Sequence, residues 1–508
     1  MKSKQVDFFI SMSLCRFTLK SIMKNPLFIL LGPLFGIAAG LLLYYSGNNP
    51  LMCKAAGVFV LMAFWWLTES VNIFVTSLMP IILFPILGVM DIKDVAPQYM
   101  KDVIFLYIGG FVLTFGIERW NLHKRISLNI LLKFGGSPQR LLFGFSLATY
   151  FISMWLNNTS TTLMMLPIAL AVVGQLHGGD DKKRTGLATA LLLAISFASS
   201  IGGTATLVGT LPNMIMKNFY EDNFTGGNQL TFLNWFLIAF PMSLTMLFVM
   251  FFLFRYLFLR NSDHIKPDLD FCREEKNKLG KLIFEEKIIG LVFLMAIILW
   301  FTMDGKEFGS FRLKGWTEFL PKGEYITESY VAILMAGILL FFPSKNIKGS
   351  TIVTWEEVKK IPIGIIFLFG GGFALAKGVE VSGLDKWIAG NLTGLQNLPM
   401  WLLIFILCLI TTVFSEFASN TATVSVFMAI MIPVVVALDL PPLMILFPIT
   451  IAASYSFMLP VGTPPNTIVF GTEKVSAKQM MRAGLWLDIA GAIIITLFMM
   501  LFGDMILE

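Results

Sequence analysis

The chain has 508 residues, of which 56% are hydrophobic and 14% charged, with a net charge of +6. Soluble domains carry about a quarter charged residues, whereas apolar stretches of about 20 residues, each able to cross a bilayer as a helix, recur along this chain. The composition excludes a soluble protein, and basic residues scattered in short segments beside apolar runs set membrane orientation and do not suggest nucleic-acid binding.

Lys2, Lys4, Arg16, Lys20 and Lys24 precede the first apolar run, and no small-residue cleavage site follows a short apolar core. Residues 1–26 therefore read as a cytoplasmic N-terminal segment and not as a removable signal peptide. The first predicted span, Leu27–Tyr45, carries Gly32, Gly36 and Gly40 on one face, a spacing that lets helices approach closely in lipid. Residues 55–67 and 73–87 form a tight pair of spans, and residues 103–117 cross again. Trp65 and Trp66 are assigned to the interfacial aromatic belt. A basic loop follows at residues 123–140.

The apolar run at 141–173 is interrupted by Asn157-Asn158-Thr159. Lipid offers no partners to such groups, so they must face a cavity, another helix or a ligand. The run reads as a re-entrant hairpin, which keeps the basic stretches on either side of it on the cytoplasmic face. Residues 187–216 read as a broken helix, interrupted at Ser199–Thr204 and again at Gly209-Thr210-Leu211-Pro212-Asn213. A span at 232–258 completes residues 27–259, which hold the first helix and the first repeat, and the charged stretch 260–287 is a cytoplasmic linker.

Residues 288–508 repeat the plan. Spans are predicted at 288–303, 330–342 and 361–379, a hairpin at 401–438 around Ser419-Asn420-Thr421, a broken helix at 442–470 and a last span at 486–502. Ile104–Phe111 and Ile366–Phe373 agree at six of eight positions at an offset of 262, the offset that also relates the two polar knots. Gly209–Asn213 resembles Gly462–Asn466 at an offset of 253. The predicted fold is an all-α polytopic membrane protein with about eleven transmembrane helices, two re-entrant hairpins and an inverted repeat, its C-terminus outside. Inverted repeats of this kind hold the transported solute near the midplane.

Asparagine offers two donors and an acceptor, and the hydroxyls of threonine and serine do either. Such donors hold a carboxylate or another oxyanion, while amide and backbone carbonyls replace water around Na⁺, and helix N-termini aimed at the cavity favour an anion. No arginine or lysine lies within either knot, so an anion bound there needs co-bound cations; Lys377 is the one basic residue placed to reach a cavity. The bland readings are helix-packing glue for the knots, an unreachable glycosylation pattern at Asn157, and helix packing for Gly370-Gly371-Gly372. Glu69 and Glu416 are as well explained by helix-end hydrogen bonding as by function. Cys15, Cys53, Cys272 and Cys408 lack metal-ligand spacing, and His123, His177 and His264 sit in or beside charged loops. No catalytic constellation is present, and the chain is not predicted to be an enzyme.

Trp65–Ser70, Phe105-Leu106 with Gly109-Gly110-Phe111, Trp120–Arg125, the two knots and Leu459–Asn466 together resemble the divalent anion:sodium symporter family (solute carrier family 13), from about Leu27 to the C-terminus. The resemblance implies a homodimer in the cell membrane, with a scaffold and a mobile transport domain working as an elevator. It implies Na⁺ symport of C4-dicarboxylates such as succinate, malate or fumarate, with Na⁺-independent exchange and citrate or sulfate transport as alternatives. By position, one sodium site would use Ser153, Asn157, Asn158 and Gly209, and the other Ser415, Ala418, Asn420 and Gly462. Substrate would meet Asn158, Thr159, Thr210, Asn420, Thr421 and Pro464. Asn157 stands where the family has serine, and Leu211 replaces the first of the two prolines in the second copy.

Overall fold

The structure, a computed structural model, describes residues 26–174, 181–224, 230–260, 269–308, 311–391 and 398–503. Residues 1–25 of the expected N-terminal segment, His177, His264, residues 261–268 of the linker and residues 504–508 lie outside that set. The helices are α1 (Pro26–Tyr45), α2 (Pro50–Thr68), α3 (Met79–Leu87), α4 (Asp102–Arg119), α5 (Leu122–Phe134), α6 (Pro138–Ser153) and α7 (Asn158–Gly174). Then come α8 (Asp181–Gly203), α9 (Leu211–Asn223), α10 (Phe232–Phe258), α11 (Asp270–Lys278), α12 (Phe284–Phe301) and α13 (Glu328–Phe341). The chain ends with α14 (Ile363–Ser382), α15 (Leu384–Asn391), α16 (Met400–Phe417), α17 (Asn420–Ala437), α18 (Pro442–Ser454), α19 (Pro464–Phe470) and α20 (Ala477–Phe502). One small antiparallel hairpin, β1 (Lys306–Phe308) and β2 (Phe311–Leu313), sits between α12 and α13.

Among the described residues, nine helices are long and apolar enough to cross a membrane. Four shorter apolar helical segments, Ile73–Leu87, Asn158–Gly174, Glu328–Phe341 and Pro442–Ser454, complete the apolar set, so the expected count of about eleven spans is reached only with broken and short elements. The predicted interruptions fall where helices stop, except that Ser199–Gly203, expected to interrupt its helix, is the last turn of α8 and the break begins at Thr204. The turn between α6 and α7 is Met154–Asn157, that between α16 and α17 is Ala418-Ser419, and the breaks leave gaps before Leu211 and Pro464. Proline at the first helical positions of α6, α9 and α19 explains those starts: its fixed φ suits the helix, and the missing N–H has no intrahelical partner there.

Packing is densest at the centre. The membrane-capable part of α8 is 94% buried, against 11% for α1 at the rim. The glycine face of α1 does what its spacing predicts. A Cβ at Gly36 would lie 2.5 Å from Gly57 O, and one at Gly40 2.9 Å from Cys53 O, so α1 and α2 touch backbone to backbone.

The aromatic-belt assignment fails for Trp65 and Trp66, which are buried. Trp66 Nε1 donates to Ile73 O and Ser77 Oγ, both at 3.3 Å, where the chain turns into a one-turn helix after Asn72. Trp65 Nε1 reaches Ile29 O at 3.2 Å through the space that Gly32 leaves open. The basic loop at 123–140 is largely helix α5. Leu128 and Leu131 are buried on one face, while Lys124 and Arg125 pair with Glu275 of α11 at 2.5 Å and Glu286 of α12 at 2.8 Å. The segment is amphipathic, and its apolar period was masked by its charge. The expected linker is likewise part helix, because α11 occupies Asp270–Lys278.

Another close helix crossing joins α4 to α13, where a Cβ at Gly109 would stand 2.6 Å from the carbonyl carbon of Ala332. Gly109→Val is expected to cost about 1–3 kcal/mol by forcing these backbones apart. The check is the melting temperature of the purified protein in detergent, and an unchanged value would refute this close approach.

Candidate functional site

Each hairpin turn presents its polar knot as the start of a helix. Asn157 caps α7, with Oδ1 accepting from Ser160 N at 2.8 Å and Nδ2 donating to Ser160 Oγ at 3.1 Å. Ser419, at the matching position, caps α17 by accepting from Ala422 N at 3.2 Å. Asparagine and serine are equally good N-caps, each worth about 1 kcal/mol, so the departure at Asn157 preserves the local structure. Its side chain is engaged in that cap.

Behind each cap the same bonds recur. Ser153 Oγ lies 2.9 Å from Asn158 Oδ1 and 2.7 Å from Ser199 O. Ser415 Oγ lies 2.9 Å from Asn420 Oδ1 and 2.5 Å from Ala453 O. A serine near the end of the inward helix thus ties the knot asparagine to the last carbonyls before the helix break. Asn158 fits because Gly203 has no side chain: a Cβ there would stand 2.3 Å from Asn158 Oδ1.

The breaks are braced in parallel fashion. Asn213 Nδ2 donates to Gly203 O at 3.0 Å and Thr206 O at 2.7 Å. Asn466 Nδ2 donates to Ser456 O at 3.1 Å and Leu459 O at 3.0 Å. The Pro-Asn of each motif therefore has two tasks, with proline opening the second helix and asparagine satisfying carbonyls that the break leaves unpaired. Gly209 is buried against Gly203 O and Met154 O, and Gly462 against Glu416. Thr463 caps α19 through Asn466 N at 3.4 Å, whereas Thr210, at the matching position, makes no cap bond.

The two halves meet here. Ser196 Oγ of α8 donates to Asn466 Oδ1 at 2.5 Å, and the Thr204 and Tyr455 hydroxyls are 3.4 Å apart. The helix behind each knot packs on the broken helix of the other half, α7 on α19 and α17 on α9. Of the residues expected to meet substrate, Asn158, Thr159, Thr210, Asn420 and Thr421 are half-buried and Pro464 is exposed. Of the remaining expected sodium-site residues, Ser153, Ser415 and Ala418 are buried and Asn157 is half-buried. The groups on offer are hydroxyl, amide and backbone oxygens, the donor chemistry of a hard cation, beside the N-termini of α7, α17 and α9, where N–H groups and the helix dipole suit an anion.

Charged residues divide cleanly. Lys377 pairs with Glu380 at 2.9 Å, 43% exposed, on a small cavity shared with Lys101 and Asp222, away from the knots. Glu69 ends α2 with φ 47°, a helix-end position. Glu416 is buried, and its carboxylate accepts the N–H groups of Met458 at 2.6 Å and Leu459 at 2.8 Å, bridging hairpin turn and break. Sequence reasoning passed over Asp488, a carboxylate in an apolar run whose Oδ1 accepts from Phe457 N at 3.1 Å. It also passed over Lys217, buried in α9, which pairs with Glu221 and with Glu328 of α13 and donates to Leu230 O at 3.0 Å. A charge inside an apolar segment was the available signal for Asp488, whereas Lys217 opens the polar run 217–223 and did not stand out.

Comparison with known proteins agrees with this architecture. The family described as "Sodium:sulfate symporter transmembrane region" matches residues 38–508. The sodium-dependent dicarboxylate transporter SdcS of Staphylococcus saprophyticus is 38% identical over 481 residues, covering 92% of this chain and 89% of the relative. SdcS of Staphylococcus aureus is 35% identical over 503 residues, covering 96% and 94%. Two solved transporters share the fold at low identity. They are YdaH of Alcanivorax borkumensis (TM-score 0.55, 13% identity, 80% of this chain and 86% of that one) and MtrF of Neisseria gonorrhoeae (0.57, 12%, 80% and 83%). The match over nearly the whole chain, together with the two knots and Pro-Asn breaks, makes this protein a member of the divalent anion:sodium symporter family.

Proposed function

We propose that this chain is a secondary active transporter that imports C4-dicarboxylates such as succinate, malate and fumarate together with Na⁺. The observation that carries this reading is the paired set of oxygen-rich knots, each braced by its own helix break and free of arginine and lysine. The names of the two relatives, both sodium-dependent dicarboxylate transporters, support the substrate class and the coupling ion.

In this reading one Na⁺ is held by Ser153, Asn158 and Gly209 with Asn157 alongside, and another by Ser415, Ala418, Asn420 and Gly462. The dicarboxylate lies between the knots, against Asn158, Thr159, Thr210, Asn420, Thr421 and Pro464, where the N-termini of α7 and α17 add favourable dipoles. Two cations offset the two charges of the substrate, which lowers the cost of carrying it through an apolar surround. The hairpins are re-entrant, the N-terminus is cytoplasmic and the halves are inverted repeats. The hairpins and broken helices move as an elevator against a homodimeric scaffold.

Uptake of labelled succinate by proteoliposomes tests the reading: it should need an inward Na⁺ gradient and proceed into empty vesicles. Uptake that ignores Na⁺ and needs a succinate-loaded lumen would replace symport with exchange. Asn158→Ala and Asn420→Ala should each lower uptake by about 10–100-fold, the worth of a hydrogen bond to a charged ligand, in protein that still folds. Wild-type uptake by either would remove the knots from the site. Asn157→Ser should retain Na⁺-dependent uptake, because Ser419 performs the same cap; loss of Na⁺ dependence would give Asn157 a direct part in cation binding.

A further inference from the structure

The two helix breaks are held by opposite chemistry at matching positions. In the first, the indole Nε1 of Trp235 on α10 donates to Thr204 O at 3.0 Å, and the Thr206 hydroxyl donates to the main-chain carbonyl of Met154. The offset of 253 carries Trp235 and Thr204 onto Asp488 and Phe457, and there the direction reverses: Asp488 Oδ1 accepts the Phe457 N–H. The offset of 262 carries Met154 onto Glu416, whose two carboxylate oxygens accept the next two N–H groups, from Met458 and Leu459. Neutral donors brace carbonyls in the first half, and two carboxylates brace three consecutive amides in the second.

The surrounding glycines show how closely this clamp is fitted. On α20, Gly484 and Gly491 flank Asp488 on the same face. A Cβ at Gly484 would lie 2.4 Å from the Phe457 carbonyl, and one at Gly491 2.9 Å from the Tyr455 ring. A Cβ at Gly462 would lie 2.8 Å from Glu416 Oε2, so that carboxylate rests against the backbone of a residue assigned to the second sodium site. Glu416 is fully buried and Asp488 is 4% exposed. Three oriented N–H groups hold a negative charge that water cannot reach, as charge-assisted hydrogen bonds do elsewhere.

We propose that Glu416 and Asp488 are positioning residues that clamp the second break into its ion-binding shape, so that the second sodium site is built in advance and fills at lower Na⁺ than the first. The inference rests on the Na⁺-coupled reading above. Two consequences follow from the geometry. The carbonyl and amide groups around Asn420 and Gly462 need little rearrangement when a cation arrives, and the buried Glu416 carboxylate adds an attractive field in a poorly polarisable setting. The first site has neither feature, since its bracing groups are neutral and are drawn from the break itself and from Trp235.

Glu416→Gln and Asp488→Asn keep shape and replace a carboxyl oxygen by an amide nitrogen. In proteoliposomes each should raise the Na⁺ concentration for half-maximal succinate uptake by about tenfold or more, the usual cost of losing a group that orients an ion's ligands, while the rate at saturating Na⁺ changes little. A lowered maximal rate with an unmoved Na⁺ half-saturation would mean a merely structural role and overturn the proposal. Na⁺-independent uptake by the wild type would overturn the symport reading and this inference with it, whereas Na⁺-dependent wild type with unshifted variants would overturn the inference alone. Amide exchange in the wild-type protein tests the same point without a variant. Peptides covering residues 456–460 should be protected in Na⁺-free buffer, and those covering 203–207 should gain protection only on adding Na⁺. Equal gains in both would also overturn it.

Discussion

Lipid forms no hydrogen bonds, so a helix that stops at membrane depth must find internal partners for every N–H and C=O it frees. That constraint organises this molecule. Two helices are interrupted in the middle of the protein, and side chains around the two knots satisfy the backbone that the interruptions expose. Asn213 and Asn466 take two carbonyls each, Ser153 and Ser415 take the last carbonyl regions of α8 and α18, and Trp235, Asp488 and Glu416 complete the set.

In the proposed function, stability and binding draw on the same residues. The knot asparagines hold their own serines, the serines hold the helix ends, and the capping residues start the returning helices. The cross-links Ser196–Asn466 and Thr204–Tyr455 tie the two halves together beside the breaks. A ligand that engages one knot meets a framework already connected to the second. The glycines follow from the same demand for closeness: Gly203 admits Asn158, Gly202 lies against Tyr150 O, and Gly484 seats α20 on the break.

Local signals carried much of this. The Gly-Thr-Leu-Pro-Asn and Gly-Thr-Pro-Pro-Asn runs announced helix breaks, and the two polar knots stood out against apolar surroundings. The glycine face of α1 was readable from its spacing alone. Non-local partnerships were not readable. Asp488 was visible as a charge in an apolar span, but nothing near it in sequence named Phe457 as its partner 31 residues away. Trp65 and Trp66 had the composition of a membrane-interface belt, and only the turn after Asn72 and the gap at Gly32 bury them. Helix α5 was hidden because charged residues crowd its exposed face, and its apolar face needs α6 beside it to have meaning.

Lys217 gives the architecture a mechanical character. It lies buried in α9, paired with Glu221 of its own helix and Glu328 of α13, and α13 is in turn locked to α4 at Gly109. Sliding α9 past α13 parts a buried ion pair, and a stranded buried charge costs about 3–5 kcal/mol. The contact therefore acts as a detent. In the elevator motion proposed above, the catch would hold the hairpin assembly at a stop until thermal energy releases it, turning a smooth coordinate into a sequence of dwells and jumps.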